Sequence, residues 1–137
     1  MAKAQTTRAE ESLRRDAMMA HLMDSLDAGK DIGHYGRLVF TMVARHFMDE
    51  EELSDYLAKD RDFGAEQARA LVAQVKAHDY SPPRREKILD FQSRQEFPIL
   101  PDSDDPDIGN VYRDLTFPDG VYEHIAEYYE HTAAAAA

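Results

Sequence analysis

The spacing of apolar residues constrains this chain more than any other feature. Up to about residue 95 they return every three or four positions and never settle into alternation. That period is helical, and each segment then has one face to bury. A first helix is expected over 7–28, with Leu13, Ala17, Ala20, Leu22, Met23 and Leu26 on one stripe and Gly29 as its stop. A second, over 33–47, carries Tyr35, Leu38, Val39, Met42 and Val43 on one face and Phe40 and Phe47 beside it. It has few polar residues and is the expected central helix; Asp31 or the glycines set its start.

Asp49 followed by Glu52 has capping-box spacing and opens a helix over 50–59, with Glu50, Glu51 and Glu52 in the turn where the helix dipole favours negative charge. A helix over 65–78 buries Ala68, Leu71, Val72 and Val75. After the break at Pro82-Pro83, Pro83 opens another, to about residue 95, anchored by Ile88, Leu89 and Phe91. The first, second and fourth of these helices should form the core, closed by the last.

From Glu96 the pattern changes. Pro98, Pro101, Pro106 and Gly109 punctuate an Asp-rich run, yet Ile99, Leu100, Ile108, Val111 and Leu115 recur in it. Such a run is irregular but pinned to a surface. A short helix should follow from Pro118 to about His131, held by Val121, Tyr122, Ile125, Tyr128 and Tyr129. The expected fold is therefore all-α: a compact bundle of about five helices, an extended acidic arm and a short C-terminal helix. Residues 1–95 make the helical domain. Residues 96–131 pack on that domain or on a partner, and 132–137 form a tail outside the argument.

Charge follows the same division. The chain of 137 residues carries a net −11, and residues 96–131 hold ten carboxylates against one arginine. Such a chain is not drawn to phosphate backbones, so nucleic acid is an unlikely partner. The absence of cysteine removes disulfides, thiolate metal sites and a cysteine nucleophile. The longest apolar stretch, 38–44, is far shorter than the roughly 20 residues of a membrane span. No secretory leader is visible, and a bacterial cytoplasm is the simplest compartment.

Several constellations invite chemistry. Asp102, Asp104, Asp105 and Asp107 crowd one turn, as in a calcium loop, but the twelfth position of such a loop is Arg113 and Pro106 falls inside it. A solvated turn with local Asp–amide bonds, or a docking strip for a basic surface, remains. Tyr112, Phe117, Tyr122 and Tyr128 lie in the same acidic third, and tyrosines are common interface anchors. On a C-terminal helix His124, Glu127 and His131 would share a face and could ligate zinc, iron or manganese; an exposed polar face is the plainer reading. His34 and Arg37 flank glycines at the start of the most apolar helix, where free amides attract anions.

His46 sits on that helix's apolar face as a satisfied core or boundary histidine, with Glu50 the nearest carboxylate if it were a base. Ser81 to Lys87 is the most basic window and should pair with the acidic arm or a partner. The helices at 50–59 and 65–78 have helix-turn-helix order, but Arg69 and Lys76 are too few for a recognition helix.

These features favour a non-catalytic helical interaction protein, an accessory subunit that docks a basic protein surface through its acidic aromatic arm. A metal- or small-ligand-binding helical protein, enzymatic or not, is the alternative, and an acidic DNA mimic a third. No cofactor is strongly implied, and a homo-oligomer stays open.

Overall fold

The computed structural model describes residues 7–123. Among them every regular element is a helix: α1 Arg8–Leu13, α2 Ala17–Asp27, α3 Gly33–Ala44, α4 Glu50–Leu57, α5 Ala65–His78, α6 Arg85–Gln92 and α7 Val111–Asp114. Residues 119–123 are helical to the edge of the described stretch. Among the described residues no helix is long and apolar enough to cross a membrane.

The helix expected over 7–28 is two helices. Asp16 ends the continuity because its carboxylate accepts a hydrogen bond from the Met19 amide at 2.9 Å and so caps α2 afresh. The corner lets Leu13, Met18 and Met19, on different faces of one straight helix, all reach full burial. α1 opens on a complete capping box, Thr7 with Glu10. At Asp49 only half of the expected box forms. The Asp49 side chain accepts from the Glu52 amide, while the Glu52 carboxylate turns to the Thr7 hydroxyl at 2.8 Å.

α3 is central, packing against α2, α4, α5 and α6. Val39, Phe40, Val43 and Ala44 are fully buried along it. α5 spans the predicted residues and ends at Asp79 in the left-handed region, φ 51°. α6 begins at Arg85, two residues after the expected Pro83, and ends at Gln92. Pro82 and Pro83 are buried in the preceding turn, which leads into the helix in an extended conformation.

From Glu96 to Pro118 the chain is irregular apart from α7, and it lies on the helices. His21 Nε2 meets the Pro98 carbonyl oxygen at 2.7 Å, and the Leu100 amide donates to Gln92 Oε1 at 2.8 Å. Arg85 Nε donates to the Ile108 carbonyl at 2.9 Å, and the Tyr112 hydroxyl donates to the Pro82 carbonyl. Between these struts Ile99, Leu100, Ile108, Val111, Leu115 and Phe117 enter the same apolar cluster as α2 and α3. Gly109 makes a close approach, at φ +93°; a Cβ there would stand 2.7 Å from a Leu100 methyl.

Candidate functional site

The anion site expected at the start of α3 is filled by the chain itself. Gln95 Oε1 accepts from the Tyr35 amide at 2.8 Å and the Gly36 amide at 3.3 Å, and Asp31 accepts from the Gly33 amide. Gln95 Nε2 in turn donates to the Ile32 and Phe97 carbonyls. Gly33, at φ +81°, is required for this closeness, since a Cβ would stand 2.5 Å from Gln95 Oε1. Gly36 likewise lies beside Ile32 and Gln95, not beneath another helix.

Arg37 turns away from that end. Its guanidinium pairs with Asp31 at 3.1 Å and with buried Asp60 at 3.2 Å, and it covers the Phe63 ring at 4.4 Å. Asp60 also accepts from the Ile32 and Asp62 amides, so the buried charge is fully bonded. His34 is exposed, lines a different surface with Leu38 and Phe91, and stands edge-on to Tyr35. The structure therefore separates the expected His34–Arg37 pair.

The acidic turn is divided in two. Arg113, which occupies the position where a calcium loop would need glutamate, clamps Asp105 at 2.7 Å, Asp107 at 3.5 Å and Asp114 at 2.7 Å. Its hydrogen bonds hold the Asp105 and Asp114 carboxyls below the usual range. Asp102 and Asp104 are exposed and have no ion-pair partner among the described residues. Among those residues no group of three or more His, Cys, Asp or Glu could hold a metal ion. The expected ligands His124, Glu127 and His131, and the expected anchor Tyr128, lie outside the described residues.

The aromatic anchors face inward to different degrees. Phe117 is buried against His46, Phe47 and Tyr112. Tyr122 is 39% exposed, and its hydroxyl accepts from the Phe117 amide. His46 is half-buried with an unpartnered Nε2, and burial and nearby Arg45 lower its pKa to about 4. It is neutral near pH 7 but is not a satisfied core histidine. Glu50, its suggested partner, pairs with Lys76 instead.

One feature that no motif announces is a groove of about 570 Å³ between α3, α5, the proline turn and α6. Leu38, Met42, Leu71 and Phe91 form its apolar floor, and Pro82 and Pro83 one wall. His34, Arg84 and Lys87 stand on its rim, with Tyr80 and Tyr112 also lining it. Among the described residues no carboxylate lines it. The double proline in the most basic window was the available sequence signal, because prolines supply apolar surface without amide donors. No family model matches the chain, and neither a curated protein nor a solved structure matches it.

Proposed function

We propose that the protein is a non-catalytic helical interaction protein, an accessory subunit of a cytoplasmic assembly, which meets a basic partner surface through its acidic C-terminal third. The supporting observation is the division of labour in the 101–117 segment. Its apolar side chains secure it to the body, Arg113 braces the turn from within, and Asp102 and Asp104 project from a turn whose shape is already set. A fixed acidic edge loses little conformational freedom on binding and steers a basic surface toward it.

The test is a low-salt pull-down from the native source with wild-type bait and with Asp102→Lys/Asp104→Lys bait. Both positions are exposed, so the fold should survive. The expected result is a partner held by the wild type and lost both in the charge-reversed variant and at high salt. Equal recovery by both baits would remove the acidic edge from the proposal.

The groove supports a second reading, that of a small-ligand-binding helical protein. Its volume lies within the roughly 300–1,000 Å³ of ligand pockets, and its apolar floor with a few polar groups at the mouth has their usual make-up.

A further inference from the structure

We propose that the groove between α3, α5, the proline turn and α6 binds a small amphiphile with a carboxylate head, its apolar body on Leu38, Met42, Leu71 and Phe91 and its head at Lys87. The inference rests on the small-ligand reading and adds the ligand's chemical class.

Three observations carry it. The first is charge: Lys87 stands on the rim, and among the described residues no Asp or Glu lines the groove. The ion-pair partner of Lys87 on α6, Asp90, is shared between Arg94 at 3.3 Å and Lys87 at 4.0 Å, so it draws on Lys87 only weakly. Lys87 is 59% exposed, with its ammonium 5.1 Å from the centre of the Phe91 ring. It thus stands where the apolar floor meets the mouth.

The second is the want of donors at the proline wall, the groove's donors lying elsewhere, on the side chains of Gln74, Tyr80 and Ser81. Pro82 and Pro83 have no amide hydrogen, and the Pro82 carbonyl already accepts from Tyr112. A polar body would leave hydrogen bonds unmade there, whereas a hydrocarbon or aryl body would not. The third is size. The groove's volume of about 570 Å³ lies within the roughly 300–1,000 Å³ of small-molecule pockets. A small molecule fits that space.

The experiment is calorimetric titration of the full chain with dodecanoate and with dodecyltrimethylammonium, both below their micelle concentrations, repeated with Lys87→Glu and Leu71→Glu. Dodecanoate should bind one per chain and at least tenfold more tightly than the cation. Each substitution should weaken dodecanoate at least tenfold, and Lys87→Glu should narrow or reverse the preference. Circular dichroism of both variants separates lost binding from lost fold, and Lys87→Glu, on an exposed side chain, keeps the test valid if Leu71→Glu unfolds. Equal binding of the two amphiphiles, indifferent to Lys87→Glu, would overturn the carboxylate class while leaving a ligand groove. Binding of neither would overturn the small-ligand reading itself.

Discussion

Gln95 makes four hydrogen bonds with one amide group, and three of them reach back to residues 32–36. It thereby supplies at the start of the central helix the cap that Ile32 cannot offer. No local pattern could announce this, because capping rules read neighbours and Gln95 lies about 60 residues away. Asp49 was legible as a cap for the opposite reason: its partner is three residues on. Arg37 was legible as a charge but not as the buried partner of Asp60, another pairing across the sequence. We predict that Gln95→Ala lowers unfolding free energy by about 3 kcal/mol, since net hydrogen bonds contribute roughly 1 kcal/mol each and the amides left behind are part-buried. Urea denaturation measures it. A change below about 0.5 kcal/mol would mean that water replaces the side chain at no cost. Gly33→Ala should destabilise as well, because its Cβ would occupy the space of Gln95 Oε1.

The elements show where periodicity suffices. α3 and α5 appear close to their expected spans because each has one continuous apolar face. The 7–28 helix failed as one unit because a stripe wide enough to look like one face is in fact two, turned at Asp16. The 96–118 segment was readable as irregular and pinned, but its landing points were not. Leu100 on Gln92, Ile108 on Arg85 and Tyr112 on Pro82 are long-range choices.

Their consequence for the segment is energetic. Ile99, Leu100, Ile108, Val111, Leu115, Phe117 and Val121 are all buried. At roughly 1.5–3 kcal/mol each, their loss would be comparable with a whole domain's stability of about 5–15 kcal/mol. A chain ending at Gln95 is therefore predicted to lose cooperative thermal unfolding by circular dichroism, and charge reversal, not truncation, is the sound way to test docking. A cooperative melt of residues 1–95 within about 10 °C of the full chain would show that the segment contributes little.

For the whole molecule, two buried ionisable groups oppose each other in pH dependence. Asp16 is fully buried with Oδ1 unpartnered. Burial raises its pKa to about 7; the Met19 amide pulls the other way, and the neighbouring Asp114 carboxyl adds to the rise. Because the folded value lies above the unfolded one, the stability it contributes is full below about pH 4 and is lost as pH climbs to about 7. His46, lowered to about 4, behaves inversely: its contribution is full above about pH 6.5 and is lost as pH falls toward 4.

Between those limits the two trends offset each other. Above pH 6.5 only the Asp16 loss continues, and a net charge of −11 adds self-repulsion. The stability maximum is thus predicted on the acid side of neutrality. Asp16→Asn keeps the acceptor for the Met19 amide and provides a permanent donor toward Asp114, so it should raise Tm at pH 8 and change it little at pH 5. His46→Phe keeps the ring against Phe117 without a titrating nitrogen, so the Asp16 trend stands unopposed and Tm should rise as pH falls from 6.5 to 4. Thermal melts of the three proteins from pH 4 to 8 decide the matter. An Asp16→Asn curve parallel to the wild type across that range would mean that Asp16 stays ionised in the fold and that Arg113, which already holds Asp114 ionised, carries both charges.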